Sequence, residues 1–520
     1  MLNGNIYITG FMGAGKSTVG RLLAAALGRR FLELDDLVIR RFRMPIPQAF
    51  ARLGEEAFRS AETAELEKLS RRQRLVVATG GGAPLRLENR RIMRASGLIL
   101  NLKASLKVCT GRLGPQDRAE RPLWQDQKTM ERLFTARQAS YADCDLVVNV
   151  DGRDPGQVVE AAGGLLFPEE HHTVQLGEAS HPLLITWQGP QSLSAYAGGG
   201  RTVLLSDRKV GGLHLERYRK ALGDPLVLIV PGGEGSKSLP VARSLYQSLL
   251  DARIERGDLL VALGGGVVTD LGAFVAATYK RGMRFVLAST SLLGCVDAAV
   301  GGKAAVNLGR AKNVVGCFCV PQAVLLDLPA LATLPRRQIA EGLVEAYKTG
   351  LAREPELAIL VEDKLKHLLA GDLPCLAQAA RLSALTKTGV VKADFRESGL
   401  RRILNLGHTY GHALEGLSRF RISHGRAVAA GLMVAAALSA KRGLIPEGLF
   451  DRITKTMRPF APSQAVWPRA NQAWEMMQND KKNQKGRVMF VLLKGLGQAF
   501  WVEDVTPAEL GDALALTLGE

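Results

Sequence analysis

Short apolar runs alternate with segments of helical period along the first 166 residues. NIYIT (5–9), RFLEL (30–34), RLVVAT (74–79), GLILNL (97–102) and DLVVNV (145–150) are too apolar to leave one face in water. They predict strands of a parallel sheet covered by helices on both faces. PGQVVEAAGGLL (155–166) supplies a closing helix with proline at its start. FPEEHHT (167–173) breaks the pattern and is expected to be a solvated linker carrying His171 and His172. From Val174 a second α/β segment begins, with strands expected at TVLLSD (202–207), DPLVLIV (224–230), GDLLVALGGG (257–266) and MRFVLAS (283–289). After Leu328 long helical patterns dominate, among them RRQIAEGLVEAYKTGLA (336–352) and GRAVAAGLMVAAALSAKRG (425–443). The expected architecture is α/β throughout. A P-loop domain with a parallel sheet spans 1–166, a linker 167–173, a Rossmann-like nucleotide domain 174–328 and a mostly helical domain 329–520.

Composition narrows the function class. At 520 residues with 47% apolar and 23% charged side chains, the chain reads as globular and multidomain. No apolar run approaches the roughly 20 residues that cross a bilayer, and the N-terminus lacks a signal-peptide pattern. Six scattered cysteines without a CxxC pair favour reduced thiols and a cytoplasmic location. The net charge of +18 is spread out, with few aromatics for base stacking, so small anionic substrates are expected rather than nucleic acid.

GFMGAGKST (10–18) follows a strand, opens a helix and fits the P-loop spacing. In such a loop the backbone of Gly13, Ala14 and Gly15 wraps a polyphosphate at a helix N-terminus. Lys16 reaches the β- and γ-phosphates, while Ser17 ligates Mg²⁺ and Thr18 continues the helix start. The acceptor must come from elsewhere. ELDD (33–36), FRSAE with Arg59, TGGGAP (79–84), and GRLGPQDRAERPLW with Arg112, Arg118 and Arg121 offer hydroxyl-gripping, backbone and cationic groups. Arg137 follows on a helical pattern. Together these suggest a small, anionic, hydroxylated acceptor beneath a cationic lid.

Residues 1–166 resemble shikimate kinase in the content and order of these motifs: GFMGAGKST, FLELDD, EEAFRSAE, ATGGGAP, ERPLW and ARQASY. The resemblance implies that Asp35, Arg59, Gly81 and Arg137 bind shikimate and that Arg121 serves ATP from the lid. Asp35 would grip ring hydroxyls and accept the attacking hydroxyl's proton. The chain departs from that family at Glu33, usually Asp, and at ASY, where Pro-Leu usually precedes the tyrosine.

In the second half, GGGVVTDLG is an imperfect dinucleotide loop, because Thr269 stands at its third glycine position. PGGEGSKS (231–238) brings Glu234 and Lys237. GHTYGHALEGLSRFRISHG gathers three of the chain's eight histidines. On a helix His408 and His412 project from one face, about 6 Å apart along the axis, which suits a shared metal or one ligand beside an acid/base residue. A carboxylate would complete a Zn²⁺ site; Glu341 and Glu345 both qualify by spacing.

Residues 174–520 resemble 3-dehydroquinate synthase. The motifs are GEGSKS, GGGVVTDLGAFVAATYKRG, VGGKAAVN, AKNVVG, LVEAYKTG, KADFRESGLRRILNLGHTYGHALE, HGRAVAAG and NDKKNQKGRVMFVLL. The resemblance implies Glu345, His408 and His424 as ligands of Zn²⁺ or another divalent metal such as Co²⁺. It also implies Asp270, Lys303, Lys348, Lys387, Arg401, Asn405, His412 and Lys481 at the substrate. Glu234, Lys237, Gly266, Asp270, Thr290, Ser291, Lys303, Lys312 and Thr333 would lie along NAD, and two copies would pair through this half. Departures are Arg426 where HGE is usual, Ser289 for a proline, and AKN for GKN.

The implied chemistry is bifunctional: ATP- and Mg²⁺-dependent phosphorylation of shikimate, and conversion of a heptulosonate phosphate to 3-dehydroquinate and phosphate without net redox change. Two other readings share some of these motifs. One is a metal- and NAD-dependent polyol dehydrogenase fused to another kinase, against which the anion-gripping lysines stand. The other is a nucleotide-sensing or RNA-binding module with no turnover.

Overall fold

The computed structural model describes residues 4–114, 127–309, 311–419, 421–478 and 488–519. These fall into two compact units, Met1–Pro168 and Glu169–Glu520.

The first unit is built on β1 (Asn5–Thr9), β2 (Arg30–Glu33), β3 (Leu75–Ala78), β4 (Gly97–Lys103) and β5 (Leu146–Asn149), ordered β2-β3-β1-β4-β5. Every pairing is parallel, so each strand must be followed by a crossover, and helices cover the sheet. Tyr7, Leu34, Leu66, Val77, Met93 and Ile99 form a core on one face. The arrangement opens the carboxyl ends of β1, β2 and β3 beside one another, where ligands of open α/β sheets bind.

The second unit holds a seven-stranded sheet. Its strands are β6 (Glu170–Leu176), β7 (Ala179–Thr186), β8 (Thr202–Asp207), β9 (Leu226–Val230), β10 (Leu259–Gly264), β11 (Arg284–Ser289) and β14 (Ala323–Asp327). The order is β6-β7-β14-β11-β10-β8-β9, parallel except for β6–β7. Between β11 and β14 lies an antiparallel hairpin, β12 (Lys303–Leu308) and β13 (Ala311–Phe318). After β14 the described chain is mostly helical, with a small pair of strands, β15 (Phe490–Leu493) and β16 (Ala499–Val502), near its end.

The expected linker is the main correction. Residues 170–176 form strand β6, bonded to β7 from Glu170↔Ile185 to Leu176↔Ala179. An edge strand needs few apolar residues because only one long side is paired; here Val174 and Leu176 are buried while His171 stays exposed. The hairpin β12–β13 was likewise not among the expected strands; most of its residues are exposed or half-buried. No helix among the described residues is long and apolar enough to cross a membrane.

Candidate active sites

In the first unit the chain leaves β1 through Gly10–Gly15 into the helix Lys16–Ala26. Gly13 and Gly15 have φ of 78° and 92°, left-handed values that a side chain would strain. A Cβ on Gly13 would also stand 2.2 Å from the Cys109 carbonyl oxygen. Ala14 is buried and Thr18 exposed on the helix. Lys16 folds back over the loop, donating from Nζ to the Gly10 and Phe11 carbonyls at 3.0 and 3.1 Å. Ser17 donates from its hydroxyl to Glu33, so the departure Glu33 reaches the position expected at Mg²⁺. Arg112 lies 3.6 Å from where a Gly15 Cβ would be. Arg118 and Arg121 lie outside the described residues.

A glycine run, Gly80–Gly82, draws the acceptor candidates together. A Cβ on Gly80 would lie 2.5 Å from Asp35 Oδ1 and 2.8 Å from Glu62 Oε1, and one on Gly82 would overlap Arg59. Arg59 is buried and pairs with Glu62 at 2.8 Å and Glu55 at 3.0 Å. Burial opposes its charge, but those carboxylates outweigh it and raise its pKa. Arg137 and Tyr141 both donate to the Gly81 carbonyl, at 3.4 and 2.6 Å. Asp35, Arg59, Gly81 and Arg137 are thus neighbours. Glu62 and Tyr141 were missed by sequence reasoning, although Glu62 follows Arg59 at the i+3 helix spacing. Burial pushes the Glu62 carboxyl up to about 7 against the pull of Arg59, with Asp35 adding to the rise.

In the second unit β10 ends at Gly264 and the helix Gly266–Thr278 begins two residues on. The Thr290 amide donates to the Gly264 carbonyl at 3.0 Å, and Ser291 Oγ accepts from the Gly294 amide at 3.1 Å. These join Gly266 at the carboxyl ends of β10 and β11. Lys237 pairs with Asp270 and donates to Asn313, while Asn307 donates to Glu234 at 2.7 Å. The hairpin β12–β13 therefore closes over these nucleotide candidates. Burial raises the Asp270 pKa, with Lys237 opposing. Three candidates make their contacts elsewhere: Lys303 with Glu397, Lys312 with Glu415, and Thr333 with His214 at 3.1 Å.

The histidines converge because their helices touch through glycine. Gly407 caps the helix His408–Leu417 at φ 76°. A Cβ on Gly431, in the helix His424–Lys441, would fall 1.8 Å from the Gly407 carbonyl oxygen. A Cβ on Gly425 would fall 2.8 Å from Glu341 Cα. The second contact sets the helix Arg336–Ala352 so that Glu341 pairs with Arg337 at 3.5 Å while Glu345 faces the histidines. Glu345 Oε1 lies 3.1 Å from His424 Nε2 and 3.6 Å from His408 Nε2, and these three ligand atoms sit within 4.8 Å of one another. The donor set fits a borderline divalent ion. His408 Nδ1 faces the Leu406 carbonyl at 3.2 Å and His424 Nδ1 faces Glu415 at 3.3 Å. Both rings are thereby turned with Nε2 toward Glu345, as metal-ligating imidazoles are held. Burial, with Lys348 nearby, keeps the His408 pKa well below its usual value and so keeps the ring neutral. Burial opposes charge on His424 too, but Glu345 and Glu415 carry its pKa up to about 10.

Cations line the same place. Lys348 lies 2.5 Å from Glu345 Oε2; burial works against its charge, and Glu345 and Asp297 restore it. Lys387 pairs with Asp297, and burial lowers its pKa. Arg401 donates to the Gly301 and Phe395 carbonyls at 3.2 and 2.8 Å, and Asn405 to Glu397 at 2.8 Å. The His412 ring centroid is 5.3 Å from that of His408 and 6.2 Å from that of His424. Lys481 lies outside the described residues. Arg426 is exposed and forms no ion pair among the described residues. Ser289 is buried at the end of β11. Glu415, missed in the sequence, sits seven residues after His408 on the same helix stripe.

Comparison with known proteins agrees with this division. Residues 12–163 match the family model of shikimate kinase. Residues 227–341 and 342–483 match the models of the 3-dehydroquinate synthase N-terminal and C-terminal parts. A 3-dehydroquinate synthase of Pseudomonas putida is 40% identical over 341 residues, 64% of this chain and 93% of its own length. A 2-epi-5-epi-valiolone synthase of Streptomyces hygroscopicus, solved with NAD⁺ and Zn²⁺ bound, is 25% identical with a TM-score of 0.61, covering 67% of this chain and 99% of that one. A shikimate kinase of Acinetobacter baumannii, solved with shikimate, is 33% identical over 32% of this chain and 93% of its own, with a TM-score of 0.30. The matched families lend no support to the polyol dehydrogenase reading.

Proposed function

The chain belongs to the 3-dehydroquinate synthase family through its second unit and carries a shikimate-kinase-like first unit, and from this we propose that it is a bifunctional enzyme. The first unit phosphorylates shikimate from ATP with Mg²⁺. The second converts 3-deoxy-D-arabino-heptulosonate 7-phosphate to 3-dehydroquinate and phosphate. The observation that carries the second activity is the group Glu345–His408–His424, with Glu345 buried and His424 half-buried, set among Lys348, Lys387 and Arg401. A neutral polyol would have no use for three cations gathered at the metal candidates, whereas a phosphate and a carboxylate would engage them in charge-assisted hydrogen bonds.

Bound in the second unit, NAD would supply reversible hydride transfer and a divalent ion would polarise substrate hydroxyls. The protein's own part is electrostatic and positional. Lys348, Lys387 and Arg401 hold the substrate's anionic groups, Asn405 and His412 face it, and Asp270 and Lys237 flank the nucleotide. Buried cations of this kind stabilise charge that develops as phosphate departs.

In the first unit Lys16 and the loop Gly13–Thr18 would cradle the phosphates of ATP, and Ser17 with Glu33 would hold Mg²⁺. Arg59 and Arg137 pair with the shikimate carboxylate. Asp35 grips the ring hydroxyls and takes the proton of the attacking one. By the family resemblance Arg121, outside the described residues, would serve ATP.

The purified chain given shikimate, ATP and Mg²⁺ is expected to form shikimate 3-phosphate, seen by mass spectrometry. Given the heptulosonate phosphate and NAD⁺, it is expected to form 3-dehydroquinate. Absence of either product, with its nucleotide bound, would refute that half of the reading.

A further inference from the structure

The helix His408–Leu417 carries His408, His412 and Glu415 at positions i, i+4 and i+7, one stripe along its length. Glu415 is only 4% exposed, and a carboxylate buried to that degree requires partners for its oxygens. It has two of different kinds. Oε2 stands 3.3 Å from Nδ1 of His424, and Oε1 accepts from Lys312 Nζ at 3.1 Å. Lys312 comes from β13, the hairpin strand whose neighbour Asn313 meets the nucleotide candidate Lys237.

Resting on the reading that Glu345, His408 and His424 hold the metal, we propose that Glu415 is a positioning residue for His424, anchored in turn by Lys312. An imidazole whose Nδ1–H is donated to a carboxylate keeps its Nε2 lone pair free and fixed in direction. Without that acceptor the ring rotates about χ2 and its tautomer is no longer set. Lys312 does for the carboxylate what the carboxylate does for the ring. One extended polar chain, Lys312–Glu415–His424, therefore runs from the nucleotide-side hairpin to the metal-side helix. The competing role for Glu415 is as a ligand itself, since His412, Glu415 and His424 also bring three ligand atoms within 4.8 Å. That arrangement would hold a second ion sharing His424.

The test is zinc binding to metal-free protein by competition with a chromogenic chelator, with the absorption spectrum of the Co²⁺-loaded protein as a second readout. Glu415→Ala is expected to weaken zinc about 10- to 100-fold and to alter the Co²⁺ spectrum. Glu415→Gln, which keeps the volume and an acceptor oxygen, should lose less affinity than the alanine variant. Lys312→Met should weaken zinc severalfold, and the double variant Lys312→Met, Glu415→Ala should be no worse than Glu415→Ala alone. One zinc per chain is expected. Two zincs per chain in the wild type, falling to one in Glu415→Ala, would overturn the positioning role in favour of direct ligation. Additive losses in the double variant would overturn the link through Lys312. Wild-type affinity and an unchanged Co²⁺ spectrum in Glu415→Ala would overturn the proposal outright. His424→Ala separates this from its premise: if zinc binding survives that change, the three-ligand site is wrong. If it is abolished there but intact in Glu415→Ala, only the role of Glu415 fails.

Discussion

Replacing Gly431 with alanine puts a methyl group where the helix His424–Lys441 meets the turn before His408. An ideal Cβ there lies 1.8 Å from the Gly407 carbonyl oxygen and 2.7 Å from its carbon, whereas carbon and oxygen ordinarily approach to about 3.3 Å. The helices must separate by about 1.5 Å, because the atom met is backbone and cannot rotate away. Overpacking of this kind costs about 1–3 kcal/mol. Alanine's better helix propensity returns at most ~1 kcal/mol, leaving a net loss of about 2 kcal/mol when the clash is rigid. The separation acts on His408 directly, since Gly407 is its chain neighbour, and a ligand set must be held within about 0.5 Å to work. Gly431→Ala is therefore expected to melt a few degrees lower and to bind zinc at least tenfold more weakly in chelator competition. Gly389→Ala is the control. That glycine is exposed in the helix Leu373–Ala393 with nothing within 4 Å of its would-be Cβ, so alanine should stabilise by ~0.5–1 kcal/mol. If Gly431→Ala matches the wild type in both melting and zinc affinity, the close helix crossing does not position the metal site.

Further consequences are accessible to simpler assays. Glu62 has its folded pKa near 7, above the ordinary 4.5, so its stabilising share is full at low pH and is lost as pH rises through 7. Relative to Glu62→Gln, the wild type should lose up to about 3 kcal/mol in denaturant titrations between about pH 5 and 8; a constant difference would contradict the burial argument. Lys387→Met should raise KM for the heptulosonate phosphate about tenfold or more while leaving NAD⁺ affinity within twofold in equilibrium binding. A loss of NAD⁺ affinity instead would place Lys387 on the wrong ligand. Arg426→Glu should change zinc affinity by less than about threefold, since an exposed charge without a partner contributes little; a larger change by chelator competition would show Arg426 reaching the metal.

Elements buried on both faces were the most legible part of this chain. In the first unit the edge strands β2 and β5 are partly exposed. Its three inner strands, β3, β1 and β4, announce themselves as apolar runs, because parallel strands between helix layers have no polar side. β6 does not, since an edge strand with one exposed face carries His171 and Thr173 where a central strand would carry valine. The hairpin β12–β13 was not expected either: its two short segments lie largely exposed, with Ala304 and Val306 buried, and their pairing is a non-local fact. At the sites, sequence spacing gathered the histidines but left Glu341 and Glu345 equal, because residues four apart share a helix face. The family resemblance picks Glu345; physically, the approach of Gly425 to Glu341 separates the two, and that contact joins segments more than 80 residues apart. Glu62 and Glu415 escaped notice for the opposite reason. Each lies within a turn of a named candidate, but a glutamate on a helix reads as surface until its burial is seen.

The central claim is that the second unit uses a metal held by Glu345, His408 and His424 to release phosphate through transient, self-reversing oxidation. One preparation, stripped of metal and then given zinc, tests it most directly by following phosphate release and NADH absorbance together with the heptulosonate phosphate and NAD⁺. Phosphate release that vanishes on stripping and returns with zinc, without net NADH, is the result predicted. Phosphate release unaffected by metal removal, or NADH accumulating mole for mole with turnover, would contradict the account.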